Sequence, residues 1–255
     1  MSITFVTGAS SGFGAAITRE LVRSGKRVIA AGRRHERLAQ LARELGPSVH
    51  VLALDVRDRV AVEGALQSLP DAFSEIDALV NNAGLALGLE PAARADLDDW
   101  DTMVDTNVKG LMYCTRAVLP QMVERQRGHI VNIGSIASEF PYPGGNAYGA
   151  TKAFVHQFSM NLRADLLGTG VRVTNVEPGL CGGSEFSEVR FHGDRARAEA
   201  VYRDTEPLTP EDIAETVLWV LTRPAHVNIN LVQLMPVDQA FGPLAVHRHA
   251  KPQRG

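Results

Sequence analysis

Short β-branched runs alternate with longer segments of helical periodicity along the whole chain. Ile3–Val6, Arg27–Ala31, Val49–Leu54, Ala78–Val80, His129–Ile133, Val171–Val176 and Asn230–Leu234 read as strands. They are apolar at nearly every position, which is the pattern of parallel strands covered on both faces. Helical periodicity falls at about 12–24, 35–45, 58–74, 97–125, 146–167 and 210–222. The last segment has the clearest entry signal, with Thr209 as N-cap, Pro210 at the first helical position, and Glu211 and Asp212 in the first turn. This alternation predicts an α/β fold: a doubly wound parallel sheet of about seven strands, right-handed crossovers, and helices on both faces. No linker, low-complexity tract or repeat interrupts it, so residues 1–255 are expected to form one domain.

Composition narrows the class of function. With 45% hydrophobic and 22% charged residues the chain can bury a core, and its net charge of -3 with no long basic run disfavours nucleic acid or an anionic membrane as partner. Cys114 and Cys181 form neither a disulfide framework nor a zinc spacing, and the eight histidines show no metal spacing. His226 sits beside Pro224, and His247 and His249 lie in the tail. Trp100 and Trp219, each within a helical segment, read as packing anchors. The N-terminus enters a strand at once, and no stretch reaches the length of a membrane span, so a cytoplasmic location is expected.

The first strand ends in Thr7-Gly8-Ala9-Ser10-Ser11-Gly12-Phe13-Gly14, immediately before a helix. Glycines at 8, 12 and 14 allow a tight turn and close approach of backbone to ligand, and the helix N-terminus offers unpaired amides to a pyrophosphate. A strand-to-helix junction of this kind, at the first βαβ unit, points to dinucleotide binding on a Rossmann-type fold. The second strand ends Ala30-Ala31-Gly32-Arg33-Arg34, with no acid before Glu36. A carboxylate there would bind a ribose 2′-hydroxyl and select NAD. Two guanidiniums, Arg33 foremost, suit a 2′-phosphate and favour NADP.

The chain's chemistry gathers between Ser135 and Lys152. Tyr148 and Lys152, in the first turns of the helix after Pro143-Gly144-Gly145-Asn146, are i and i+4 on one helix face. A phenol titrates near about pH 10. An ammonium about 4 Å away, at an effective dielectric of roughly 20, would favour the phenolate by about 4 kcal/mol, making Tyr148 an acid or base near neutrality.

Thr7–Gly14, Asp55-Val56, Asn81-Asn82-Ala83-Gly84, Asn107, Ser135, Tyr148-Gly-Ala-Thr-Lys152 and Pro178-Gly179, in this order and spacing, resemble the short-chain dehydrogenase/reductase family of compact, single-domain type. The resemblance covers nearly the whole chain. It implies that Tyr148 exchanges a proton with the substrate oxygen, that Ser135 orients and polarises that oxygen, and that Lys152 tunes Tyr148 and contacts the nicotinamide ribose. It further implies that Asn107 holds a relay water leading to Lys152. On the cofactor side it implies contacts from Gly8, Ser10, Ser11, Gly12, Phe13 and Gly14, from Asp55 and Val56 at the adenine, and from Asn82, Ala83 and Gly84 at the adenosine ribose. Asn81 is expected to tie the central strands together. Pro178 and Gly179 would flank the nicotinamide, with Ser184 standing where the family often has a threonine.

From Gly182 to about Thr205 the chain is charged and without apolar periodicity, which reads as a lid beside the nicotinamide or as a solvated surface excursion. Arg190 or His192 could there meet a substrate carboxylate. Glu177–Phe186, Val189-Arg190-Phe191, Leu208–Asp212, Pro224–Asn230 and Met235-Pro236-Val237 are similar to the NADP-dependent 3-hydroxy acid dehydrogenase group, also described as serine or L-allo-threonine dehydrogenases. That similarity implies interconversion of a 3-hydroxy acid and a 3-oxo acid. The competing readings are a broad carbonyl reductase for neutral aldehydes and ketones, and a non-catalytic NADPH-binding scaffold. The apolar Ala240–Val246 segment, with the family's habit of pairing its long helices, implies a homotetramer whose tail, about 240–255, crosses to a neighbour.

Overall fold

The computed structural model describes residues 2–242. Its strands are β1 (Ile3–Thr7), β2 (Arg27–Gly32), β3 (Val49–Ala53), β4 (Ile76–Asn81), β5 (Gly128–Ile133), β6 (Val171–Pro178) and β7 (Leu231–Leu234). They form one sheet in the order β3-β2-β1-β4-β5-β6-β7, with every neighbouring pair parallel. This is the expected doubly wound fold, and the order reverses direction between β1 and β4, whose onward connections leave a crevice at the carboxyl ends of the paired strands.

The helices are α1 (Gly12–Arg23), α2 (His35–Leu45), α3 (Arg59–Gln67), α4 (Asp71–Ser74), α5 (Leu97–Val104), α6 (Leu111–Glu124), α7 (Asn146–Asp165), α8 (Phe186–Arg190), α9 (Arg195–Ala200) and α10 (Pro210–Leu221). Because successive strand residues point to opposite faces, the apolar runs feed two cores. Phe5, Ile29, Leu79, Ile130 and Val173 face Val62 of α3, Cys114, Val118 and Met122 of α6 and Leu162 of α7. Val6, Val28, Val80, Val131 and Val176 face Ile17 and Leu21 of α1 and Val217 and Val220 of α10. Each such large side chain contributes about 1.5–3 kcal/mol on burial.

Two predicted helices and one predicted packing residue differ from expectation. The 58–74 helix is two helices, because Pro70 lacks an amide hydrogen and holds the preceding residue out of the α region. The 97–125 helix contains a wider π turn over Asp105–Gly110, which carries Asn107 inward. Trp219 is not a buried anchor: it is 45% exposed, with the Arg223 guanidinium 5.0 Å over its ring. The entry of α10 forms as expected, with a reciprocal capping box between Thr209 and Asp212. Asn81 does tie central strands, donating to Asn132 of β5 and Thr115 of α6, both at 2.9 Å.

Candidate active site

The crevice at the carboxyl ends of β1 and β4 holds a cavity of about 310 Å³. One wall is the glycine turn. Gly8 has φ +68°, and a Cβ there would lie 2.9 Å from Ala83 Cα; one on Gly14 would lie 2.3 Å from the Gly8 carbonyl oxygen. The turn is stitched to the one after β4: Thr7 Oγ1 donates to the Val80 carbonyl and accepts from the Asn82 and Ala83 amides, while Asn82 Nδ2 donates to the Thr7 carbonyl. These contacts aim the N-terminus of α1 into the cavity, with the amides of its first turn free of intrahelical partners. Glycines without Cβ atoms and a helix N-terminus together suit a dinucleotide pyrophosphate.

Of the residues singled out from the sequence, Gly8, Ser10, Ser11, Gly12 and Phe13 line this cavity; so do Arg33, Arg34, Asp55 and Val56, and Asn82, Ala83 and Gly84. Arg34 donates to the hydroxyls of Ser10 and Ser11, which places its guanidinium at the glycine turn. The Asp55 carboxylate is clasped by Arg57, at 2.6 Å from Nη2, and this guanidinium holds its carboxyl below the usual range. Pro178 and Gly179 lie outside the cavity lining, with Gly179 pressed against the Gln239 side chain. Ser184 lines the cavity opposite Gly12, where a Cβ on the glycine would meet Ser184 Cβ at 3.1 Å.

At the cavity's inner end Tyr148 and Lys152 both project from α7 and are buried. Lys152 Nζ donates to the Ile133 carbonyl at 2.8 Å and stands 5.8 Å from the Tyr148 ring centroid. Burial pushes the Tyr148 phenol up to about 12, against the opposing influence of the Ser135 hydroxyl and, more weakly, the Arg190 charge. Burial also brings the Lys152 ammonium down to about 8. Helix spacing predicts a depressed phenol; burial acts in the opposite direction and is the largest influence on Tyr148 in this cavity. Ser135 opens the short helical turn Ile136–Ser138, its Oγ accepting from the Ala137 amide at 3.1 Å.

Asn107 is 2% exposed and its amide is fully engaged. Nδ2 donates to the Leu85 carbonyl and to Thr151 Oγ1, and Oδ1 accepts from the Leu85 amide. It stands close to Lys152, since a Cβ on Gly84 would lie 3.2 Å from Asn107 Oδ1 and 3.6 Å from Lys152 Nζ.

The charged segment after Gly182 covers the cavity and folds into α8 and α9. The structure separates its two substrate candidates. Arg190 sits among aromatic rings, its guanidinium carbon 5.3 Å from the Tyr142 centroid, 5.4 Å from that of Tyr148 and 5.9 Å from that of Phe186. It donates to the Tyr142 hydroxyl and to the Gly88 carbonyl. His192, with φ +51°, turns to the surface and pairs with Asp99 at 3.1 Å, so it is not at the Tyr148 site. Phe186, Tyr142 and Glu185 were missed by sequence reasoning. Their positions follow only from the lid's closure on distant segments. Glu177 was missed too, although a charge within an otherwise apolar strand was a legible signal.

A doubly wound sheet with a glycine turn at the first strand-helix junction and a buried Tyr-Lys helix pair defines a dinucleotide-binding oxidoreductase architecture. Residues 2–193 match the short chain dehydrogenase family, and the chain belongs to that family. It is 63% identical to the NADP-dependent 3-hydroxy acid dehydrogenase YdfG of Salmonella typhi over 246 residues, covering 96% of this chain and 99% of that protein. It is 51% identical to the serine 3-dehydrogenase of Agrobacterium fabrum over 245 residues, covering 96% and 98%. Among solved structures, the closed form of a serine dehydrogenase complexed with NADP+ superposes with a TM-score of 0.96 at 61% identity, covering 97% of this chain and all of that one.

Proposed function

We propose that this protein is an NADP-dependent dehydrogenase interconverting a 3-hydroxy acid and the corresponding 3-oxo acid, with Arg190 reading the substrate carboxylate. The observation that carries this reading is the Arg190 guanidinium, 5.4 Å over the Tyr148 ring, in an aromatic enclosure that strengthens charge-charge contacts. A carboxylate two carbons from a carbinol held at Tyr148 lies within reach of that cation. The relatives' names, which include 3-hydroxy acid and serine substrates, agree with a cation at this place.

NADP, when bound, accepts the hydride from the carbinol carbon, and NADPH returns it in the opposite direction. Gly8–Gly14 and the α1 N-terminus would hold the pyrophosphate, and Arg33 and Arg34 the 2′-phosphate. Ser135 and Tyr148 hydrogen-bond the reacting oxygen from two sides and fix its orientation. Tyr148, favoured in its protonated form by burial, delivers its proton to that oxygen in reduction; in oxidation it first gives its proton up, and the phenolate then takes the carbinol proton as hydride leaves. Lys152 holds positive charge beside the ring and reaches the ribose hydroxyls. Asn107 keeps the π turn and the Leu85 backbone in place next to it. The lid, through Phe186 and Arg190, excludes water from Tyr148.

The test is the initial rate with NADP and with NAD on L-serine, L-allo-threonine, 3-hydroxypropionate, 3-hydroxyisobutyrate and a neutral secondary alcohol, for the parent and for Arg190→Ala. NADP preference and turnover of acids alone are expected. Arg190→Ala should raise KM for the acids by about tenfold or more, the scale of a charge-assisted contact. Turnover of the neutral alcohol alone would favour a carbonyl reductase, and NADPH binding without turnover a scaffold.

The same reading extends to a cytoplasmic homotetramer. Its support is the apolar surface left at Met160 and Leu167 near α7 and at Leu97 and Val104 on α5, together with two buried, unpaired cysteines. Among the described residues no helix is long and apolar enough to cross a membrane. Phe241 packs on Phe140 with centroids 4.4 Å apart, and the rest of the tail, with His247 and His249, lies outside the described residues.

A further inference from the structure

Of the Asp, Glu, Lys and Arg side chains among the described residues, only two are buried, Lys152 at 7% exposure and Glu177 at 0%. They have opposite signs; Lys152 lines the cavity, and Glu177 reaches the turn that Ser135 opens. Glu177 is the penultimate residue of β6, and its side chain crosses the end of β5 where Gly134 leaves room: a Cβ on Gly134 would come within 3.0 Å of Glu177 Cγ. Beyond that gap Oε1 accepts from Ser138 Oγ, Asn175 Nδ2 and His156 Nδ1, each at 2.8 Å, and Oε2 accepts from Gln233 Nε2 at 3.2 Å. Asn175 Nδ2 and Gln233 Nε2 can only donate, one to each oxygen, and Ser138 Oγ and His156 Nδ1 crowd Oε1 as well, so every near neighbour of the carboxyl is a group able to donate to it.

These donors belong to the parts that the chemistry needs aligned. Ser138 ends the turn that Ser135 opens, its amide bonded to the Ser135 carbonyl at 3.0 Å. His156 is one turn beyond Lys152 and two beyond Tyr148 on the same face of α7. We propose that Glu177 is a positioning residue: it fixes the Ser135 turn against the Tyr148-Lys152 helix face and is the counter-charge that keeps buried Lys152 an ammonium. This rests on the dehydrogenase reading above and adds to it a residue outside the Ser-Tyr-Lys-Asn set.

The charged and titratable groups around the pair are few. Tyr148 and His156 come from α7, Glu139 approaches His156 at 4.0 Å from the turn after Ser135, and Arg190 stands over both the Tyr148 and Tyr142 rings. Lys152 Nζ bonds the carbonyl of Ile133, the residue before Gly134, and Glu177 Cγ lies against Gly134, so the two side chains meet at the end of β5. The negative charge of Glu177 there opposes the desolvation of Lys152, and removing it lets the ammonium lose its proton at lower pH.

The experiment compares the parent, Glu177→Gln and Ser138→Ala, measuring kcat and both KM values over about pH 6 to 10 with whichever hydroxy acid or alcohol the parent turns over. Glu177→Gln should lower kcat roughly tenfold or more, leave KM for NADP within about twofold, and move the alkaline limb to lower pH. Ser138→Ala, which keeps the carboxylate, should lower kcat several-fold with the alkaline limb in place. A Glu177→Gln enzyme with parental kcat or a parental alkaline limb would overturn the proposal. If that variant does not fold, Ser138→Ala decides: a lowered kcat supports the proposal and a parental kcat overturns it. Absence of any turnover in the parent would instead defeat the dehydrogenase reading on which the proposal stands.

Discussion

The Glu185 carboxylate accepts from Arg34 at 2.7 Å and from Arg37 at 2.8 Å, fastening the start of the lid to the turn after β2. The two guanidiniums hold its carboxyl below the usual range. Because Arg34 also reaches Ser10 and Ser11, one cation serves the glycine turn, the lid and the place where a 2′-phosphate would lie.

Removing that cation should therefore be felt chiefly through NADP. Arg34→Ala is expected to weaken NADP by about tenfold or more and NAD far less, as read by quenching of intrinsic fluorescence on titration. Glu185→Gln should have a smaller effect, under about tenfold, because these groups are more than a third exposed and such ion pairs are each worth about 0–1 kcal/mol. Equal losses for NADP and NAD in Arg34→Ala would refute the assignment.

Asn107 makes a second case, in which chemistry is separable from shape. Thr151 Oγ1 gives its hydrogen to the Tyr148 carbonyl, so it can only accept from Asn107 Nδ2. Asn107→Asp would set an oxygen against both Thr151 Oγ1 and the Leu85 carbonyl. It should cost about 2–4 kcal/mol, seen as a lower urea midpoint with little change in slope. An unchanged midpoint would mean that the amide is not structurally committed.

Gly14→Ala tests the glycine turn. The added Cβ would meet the Gly8 carbonyl oxygen, which is backbone and cannot swing aside. The turn must open, so NADPH affinity should fall by two orders of magnitude or so even where the protein still folds. Affinity within about twofold of the parent would show that the turn has slack absent from the structure.

The fold was legible because apolar runs and glycine positions are local signals. The parallel strands announce themselves by continuous β-branched residues, and α10 by Thr209 at its N-cap, Pro210 and the acidic first turn. What escaped depends on distance in sequence. The π turn at Asn107 is set by contacts to Leu85 and Thr151, 22 and 44 residues away. Arg190 was named as a candidate because it is a cation in the lid, but nothing local distinguished it from His192; only the aromatic rings of Tyr142, Tyr148 and Phe186 do so. The Tyr148-Lys152 spacing correctly put both side chains on one face, yet the burial that governs their protonation comes from the surrounding lid and strands.

His129 supplies a prediction for stability. It is 2% exposed, its Nε2 lies 2.8 Å from Thr174 Oγ1, and Thr174 gives its own hydrogen to the Ile229 carbonyl. Nε2 must then be the donor, leaving Nδ1 bare, and Nδ1 has no partner in the described structure. Burial first, and the nearby Arg172 charge second, bring the imidazole down from 6.5 to about 3. Between those values the unfolded chain binds a proton that the native protein refuses. Stability contributed by the neutral ring is thus complete above about pH 6.5 and is lost as pH falls toward about 3, at up to ~1.4 kcal/mol per pH unit. His129→Gln retains a donor toward Thr174 and cannot titrate, so its unfolding free energy between about pH 4 and 6.5 should fall less steeply than the parent's. Urea midpoints at several pH values measure this directly. Parallel curves would mean that His129 takes up its proton in the native state as easily as in the unfolded one, which its burial and bare Nδ1 beside Arg172 argue against.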